Sequence, residues 1–347
     1  MRAFKLVKQG RVEPVSIQKP VIENPDEVLI RVAAVGVCGS EVHAFQGTHP
    51  FRTAPVILGH EVAGEVIAVG EQASHIQPGD RVFVDPQWTC GSCAFCRSGK
   101  PNLCPEKRVL GTPEWTGGFA EFIKAPVESV FQLPANLSYA EACLIEPLTV
   151  AVHVVTRAGI TPSALPASAA VLGTGSIGGL VVGVLHAYGV TPLFAADVRQ
   201  HCLHSALSLG ATSGFLLPDT GYVEQIGQHT AGEGVNAIFI TADEAHLVND
   251  AISLSSRLGR IVLVALITDA PLRIKAYDVI AREISIIGSL MADHQDVHTA
   301  IAVASSRKVD VRKILTHVLP ISQAQKGLEM AQSKADGAIK VVLSWEG

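Results

Sequence analysis

With 347 residues, 48% of them apolar and 17% charged, the chain is long enough to bury two cores, and it holds no uninterrupted apolar run of about 18 residues that would read as a membrane span. A formal net charge of −5 gives no general attraction to nucleic acid or to an anionic membrane surface. The opening MRAFKLVKQGRVEP alternates charged and apolar residues, which is not the pattern of a signal peptide, so a soluble cytoplasmic protein is expected.

Residues 1–150 carry many short β-type runs, among them EVLIRVAAVGV, EVAGEVIAVG, DRVFV and FAEFIKAP, split by turns such as QPGDR. This rhythm predicts an all-β, barrel-like domain. Three of its segments supply donors of the kind a catalytic zinc needs: VGVCGSEVH gives Cys38, Ser40 and His43, GHE gives His60 and Glu61, and ACLIEPLTVAVH gives Glu146. A thiolate, an imidazole and carboxylates leave a coordination position open for water or substrate. Each residue alone has a plainer reading: a packed thiol, a core histidine, a turn glutamate.

The same half contains CGSCAFCRSGKPNLC, with Cys90, Cys93, Cys96 and Cys104, four of the seven cysteines in the chain. In a reducing compartment clustered thiols read as a metal site before they read as disulfides, and four thiolates suit a closed structural zinc. A redox pair, or a lobe that has lost its metal, are the alternatives. Arg97, Lys100, Lys107 and Arg108 make the segment basic, either as a solvated lobe or as a small phosphate patch. Cys143 reads as buried packing and Cys202, in a helical pattern, as inert, and His153, His186, His201 and His204 show no ligand spacing.

From about 165 the rhythm changes. ASAAVLG, TPLFAAD, SGFLL, VNAIFITAD and GRIVLVAL are strand-like, and the helical patterns SIGGLVVGVLHAYG, RQHCLHSALSLG and HLVNDAISLSSRLG fall between them, which predicts a parallel sheet covered by helices over 151–289. In GTGSIGG, Gly173, Gly175 and Gly178 form G-x-G-x-x-G, with Ser176 and Ile177 in the turn where a pyrophosphate would meet the helix N-terminus. Asp197 closes the next strand, where an acid bonds the ribose 2′-hydroxyl of NAD and repels a 2′-phosphate. Arg199 leaves NADP open. The tail, 290–347, returns to strand-like runs (ILTHVL, AIKVVLSW) and is expected to complete the first domain.

These motifs in this order resemble the zinc-dependent medium-chain alcohol dehydrogenase family, in its sorbitol, threonine and sugar-acid dehydrogenase branch. The match runs through Cys-Gly-Ser at 38–40, Gly-His-Glu with Gly64 and Gly70, Pro-Gly-Asp-Arg-Val at 78–82, the four cysteines, Gly-Gly-Phe-Ala-Glu at 117–121, Glu-Pro-Leu at 146–148 and the cofactor glycines. The resemblance implies a GroES-like β-barrel catalytic domain beside a Rossmann domain, with two zinc ions per chain, one catalytic and one structural, and NAD as cofactor. It implies Cys38 and His60 as direct ligands, Glu61 as ligand or close partner, and Glu146 reaching the ion directly or through water. Ser40 would receive the substrate proton and His43 pass it onward. The substrate would be a secondary alcohol of a polyol or sugar acid, oxidised to a ketone, and the assembly a homodimer or homotetramer.

A zinc-free NADPH-dependent quinone or enone reductase of the same fold, and a noncatalytic zinc- and nucleotide-binding relative, are the competing readings. Glu41 stands where the branch has Asp, and Met291-Ala292 where sorbitol dehydrogenases have Arg-Tyr. Phe45, Thr48, Trp115 and Met291 are candidates for the pocket lining, against the commoner reading of such residues as core.

Overall fold

The computed structural model describes residues 1–217, 221–267 and 271–345. It divides into two compact units, one of Met1–Glu146 with Leu315–Gly347, the other of Pro147–Ile314.

The first unit is a GroES-like β-barrel domain built on the strand Glu27–Val37, in which every residue but Arg31 is buried. A run this apolar needs neighbours on both edges. It pairs antiparallel with Glu61–Val69, Phe122–Pro126 and the tail strand Lys340–Ser344. Arg81–Val84, Val130–Gln132 and Leu315–Pro320 extend the sheet to seven strands. The register places Gly36 opposite Glu61 and Val37 opposite Val341, so Cys38, Glu61 and Lys340 all sit at one end of three adjacent strands. Leu328, Val341 and Leu343 from the tail share a core with Ile30, Val35 and Val62, each such side chain contributing about 1.5–3 kcal/mol when fully buried.

The helix Ala324–Ser333 in that tail was not anticipated from its strand-like runs. It buries Ala324, Gly327, Leu328 and Ala331, the spacing of one helical face, and packs on the short helix Gly39–Phe45 that carries Ser40 and His43.

The second unit is a Rossmann domain. Its six parallel strands, Ala169–Leu172, Leu193–Asp197, Ser213–Leu216, Val235–Ile240, Ser255–Leu263 and Ser285–Gly288, lie in the order third, second, first, fourth, fifth, sixth. This is the doubly wound arrangement whose crevice opens beside the first strand. The fourth intervening helix ends at Leu254, earlier than the apolar pattern through Gly259 implies, because Ser255 already opens a strand and Leu258 takes a φ of 59°.

The boundary expected at 290 lies instead at 315. The helix His294–Ser305 buries Val297, Ala300 and Ala304, and its Asp296 meets His153 at 2.7 Å. Ile314 and Val309 then pack closely on the helix Ser176–Tyr188 over Gly179 and Gly183, where a Cβ would come within 2.5 Å and 2.9 Å of them. Residues 290–314 therefore belong to the Rossmann unit. The helical stretch Tyr139–Arg157 has the length and apolarity of a membrane span, yet it is mostly buried within the protein, as a core helix is.

Candidate metal and dinucleotide sites

The four-cysteine lobe closes on itself. The Sγ atoms of Cys90, Cys93, Cys96 and Cys104 all lie within 4.8 Å of one another. Separations of 3.5 Å for Cys93–Cys96, 3.5 Å for Cys90–Cys104 and 3.9 Å for Cys90–Cys96 bracket the edge of roughly 3.8 Å that four sulfurs at 2.3 Å from a tetrahedral zinc require. Each C-x-x-C turn also aims a backbone N–H at a sulfur, from Cys93 to Cys90 and from Cys96 to Cys93, both at 3.4 Å. The donor set fits zinc. Three of the lobe's basic residues are engaged locally: Arg97 donates to the Ser92 carbonyl, Lys107 to that of Asn102, and Arg108 lies 4.0 Å over the Trp88 ring.

The second cluster forms where the three strand ends meet. One donor atom each from Cys38, His60 and Glu61 lies within 4.8 Å of the others. Glu61 fits because residue 36 is glycine, since a Cβ there would fall 1.9 Å from its Oε2. His60 donates from Nδ1 to Glu41, which also accepts the Cys38 backbone N–H at 3.0 Å. That bond leaves Nε2 for a cation, the arrangement by which a carboxylate orients a metal-binding imidazole. Burial pushes the Glu41 carboxyl up, but the charges of His60 and Arg52 and the bonds it accepts outweigh this and hold it at about 2. A soft thiolate, an oriented imidazole and a carboxylate within one ion's reach fit zinc.

Glu146 is not among the three donors in mutual reach. It is buried nearby, and burial together with the charges of Glu61 and Glu41 raises it to about 7. Ser40 and His43 lie three residues apart on the helix Gly39–Phe45 and so share its face. Ser40 Oγ accepts from Arg52 at 2.5 Å, and His43 Nδ1 stands 3.3 Å from Thr48 Oγ1. Phe45 and Trp115 belong to the barrel core, and the Trp115 indole donates to the Lys124 carbonyl at 2.7 Å.

Sequence reasoning missed three charged neighbours. Lys340 is 1% exposed and places its ammonium 2.6 and 2.8 Å from the Glu61 oxygens. Arg52 and Glu41 complete the set, Glu41 having been noted only for differing from Asp. A long charged residue inside an apolar run, as in AIKVVLSW, was the available signal for Lys340. His153, given no role, meets Asp293 and Asp296 in a further cluster of possible donors in the second unit.

In the Rossmann unit, Gly173 takes a φ of 90°, and a Cβ there would come within 2.7 Å of Ala242. At Gly178 it would fall 1.9 Å from the Gly173 carbonyl oxygen, so the third glycine lets the helix approach the strand. Gly175 faces open space at the N-terminus of the helix Ser176–Tyr188, with Ser176 and Ile177 in its first turn, which is where a phosphate is accommodated. Asp197 accepts from the Thr174 backbone at 2.6 Å and from that of Arg199 at 2.9 Å. A cavity of about 510 Å³ opens beside it, lined by Asp197, Arg199, Tyr222, Asp243, Glu244 and Asp250 among others. Four carboxylates there outweigh one guanidinium.

Residues 24–135 match the model of the alcohol dehydrogenase GroES-like domain, and residues 176–306 that of the zinc-binding dehydrogenase. The sorbitol dehydrogenase of Bacillus subtilis is 33% identical over 324 residues, 92% of this chain and 90% of that protein. Among solved structures, an Escherichia coli oxidoreductase of unknown specificity superposes with a TM-score of 0.92 at 30% identity, covering 99% of this chain and 98% of that one. An alcohol dehydrogenase from E. coli CFT073, complexed with NADH, gives a TM-score of 0.91 at 27% identity, with 99% of both chains covered. The two matched domains follow one another in the sequence of a chain that aligns almost throughout with these dehydrogenases, and the protein belongs to the zinc-binding alcohol dehydrogenase family of oxidoreductases.

Proposed function

We propose that the protein is a zinc-dependent, NAD-linked dehydrogenase that oxidises a secondary alcohol of a polyol or sugar acid to the ketone. The observation that carries this is the convergence of Cys38, His60 and Glu61 on one ion-sized point beside the helix bearing Ser40 and His43. Cys38 and His60 would hold the zinc, Glu61 would ligate it or stand next to it, and Glu146 would reach it directly or through water. Cys90, Cys93, Cys96 and Cys104 would hold a structural zinc. A bound zinc supplies Lewis acidity that lets a hydroxyl ionise near neutral pH, and NAD supplies the hydride acceptor.

The residues of the chain then have separate tasks. Glu41 keeps the His60 ring in one tautomer and orientation. Ser40 accepts the hydroxyl proton, and His43, on the same face, passes it toward solvent. Gly175, Ser176 and Ile177 leave room for the pyrophosphate, and Asp197 reads the adenosine ribose. Asp243, Glu244 and Asp250 in the same cavity disfavour a 2′-phosphate, which supports NAD over NADP. The substrate class follows from the sorbitol dehydrogenase relative. A homodimer or homotetramer through the Rossmann edge strand Ser285–Gly288 is supported by the exposed Tyr277, Ile280, Ile286 and Leu290 around it.

The test is a screen for NADH formation over polyols, aldonic acids and amino alcohols, with metal analysis of the same sample. One catalytic and one structural zinc per chain and NADH formed from a polyol or aldonate are expected. A metal-free protein active with NADPH on enones would overturn the reading.

A further inference from the structure

We propose that Arg52 is a positioning residue for proton removal: its guanidinium fixes the Ser40 hydroxyl so that it accepts the substrate's proton instead of donating its own to the substrate. This rests on the reading of Ser40 as first proton acceptor, and the experiment below separates the two.

Arg52 is 4% exposed and comes from the segment that follows the helix Gly39–Phe45. Its Nη1 donates to Ser40 Oγ at 2.5 Å. Its other directional bond, from Nη2 to the Leu110 carbonyl, is long at 3.4 Å, and Nε has no hydrogen-bond partner among the described residues. Ser40 is therefore the principal partner of a buried cation. The segment itself is pinned: the backbone N–H groups of Phe51 and Arg52 donate to His49 Nδ1 at 3.3 and 3.1 Å. Burial and the neighbouring Arg52 charge lower His49 to about 4, so this imidazole stays a neutral acceptor. The Glu41 carboxylate, bonded to His60 and to the Cys38 backbone, is near enough for its charge and that of Arg52 to attract each other.

The consequence follows from the valence of a hydroxyl, which has one proton and two acceptor positions. Arg52 has only donors and always occupies one acceptor position. The remaining acceptor position faces substrate, and the serine proton is left to point onward. During oxidation the substrate O–H bond breaks as its proton bonds to Ser40 Oγ and the serine's own proton leaves toward His43 and solvent; bound NAD would supply the acceptor for the carbon's hydride. Without Arg52 the hydroxyl can rotate and donate to the substrate oxygen, which blocks that transfer. The guanidinium also stabilises negative charge arising on Oγ during the exchange.

The experiment uses the zinc-loaded enzyme and an alcohol substrate found in the screen. Arg52→Met, Arg52→Lys, Ser40→Ala and the double variants are compared for kcat and KM in water and deuterium oxide, for NADH binding by fluorescence, and for melting temperature. Arg52→Met is expected to lower kcat roughly 10- to 100-fold with KM and NADH binding little changed, and to raise the solvent isotope effect as proton transfer becomes limiting. Arg52→Lys should recover part of the loss, and neither substitution should lower kcat further when Ser40 is already Ala. Arg52→Lys should also depress the melting temperature less in the Ser40→Ala background.

A kcat loss that persists undiminished in that background overturns the proposal. So does a rise in KM confined to carboxylate-bearing substrates at unchanged kcat, which would make Arg52 a substrate anchor. A Ser40→Ala enzyme with wild-type kcat removes the relay itself, whatever Arg52 does. If Arg52→Met does not fold, the cycle with Arg52→Lys gives the same decision.

Discussion

Lys340→Met is the most informative substitution outside the donors themselves. The ammonium of Lys340 lies 2.6 and 2.8 Å from the oxygens of a fully buried Glu61, and it also donates to the Val37 carbonyl at 3.2 Å. Methionine keeps most of the volume but leaves the carboxylate without its counter-charge. Breaking such a pair from one side costs about 3–5 kcal/mol, because the remaining charge stays desolvated. In a domain of this size each kcal/mol lowers the melting temperature by about 2–4 °C, so a drop of roughly 6–20 °C is expected. Glu61→Gln in the same chain removes the stranded charge and should recover most of it.

Calorimetry on the four proteins of this cycle gives the coupling directly. An ion ligated by Glu61 replaces part of the lost positive charge, so Lys340→Met should be less damaging with zinc bound than after chelation. A single variant melting within about 2 °C of wild type, or a double variant no more stable than the single, refutes the buried-pair argument.

Cys38→Ser should abolish turnover while leaving NADH binding near wild type, as judged by fluorescence titration; retained activity would remove the catalytic zinc from the account. Asp197→Ala should weaken NAD more than NADP, although both should bind less well because Asp197 also holds the Thr174 backbone; an unchanged preference would mean that the acid does not read the ribose. Cys96→Ser should lose one zinc per chain and lower stability more than it alters the rate of the folded fraction, so a stable variant with selective loss of hydride transfer would count against a structural role. Glu27 supplies a pH test. Burial pushes its carboxyl up, yet the backbone N–H groups of Glu23 and Asn24, the Asn24 amide and Lys124 together hold it at about 2. A depressed folded-state value stabilises above the ordinary 4.5 and is lost as pH falls from about 4.5 toward 2, an effect of at most roughly 3 kcal/mol. Glu27→Gln should flatten acid unfolding in that window and leave the pH 7 to 8 slope unchanged.

The donors were legible because their chemistry is rare and local. Four thiols within fifteen residues carry their meaning in spacing, while the glycine trio between a strand and an apolar helix takes its meaning from Asp197 at the end of the next strand. The alternation of strands and helices after 165 was equally plain, since each Rossmann element buries a face of fixed period. The domain boundary was not. Residues 290–314 join the Rossmann unit through Ile314 and Val309 packed on Gly179 and Gly183, a match of apolar contours more than a hundred residues apart that no local pattern announces. The helix Ala324–Ser333, by contrast, had a readable face at Ala324, Gly327, Leu328 and Ala331 that its strand-like neighbours obscured.

What the sequence hid most completely is the shell of charge around the Cys38 cluster, and the reason is physical. A zinc ligand is recognised by its element, but Lys340, Arg52 and Glu41 belong to residue types that are nearly always on the surface. Their burial is decided by register: Lys340 opens a strand whose neighbour pairs Val37 with Val341, and that pairing alone brings it to Glu61, 279 residues away in the chain. Arg52 likewise reaches Ser40 from a segment whose backbone His49 holds. Each of the three has its own partner there: Lys340 pairs with Glu61, Glu41 holds the His60 ring, and Arg52 donates to Ser40 within electrostatic reach of Glu41. Removing any one therefore changes the orientation of a site residue, Glu61, His60 or Ser40, as well as the stability of the fold. The kinetic and thermal consequences of substitutions in this shell should accordingly appear together, whereas those at Cys38 itself should separate.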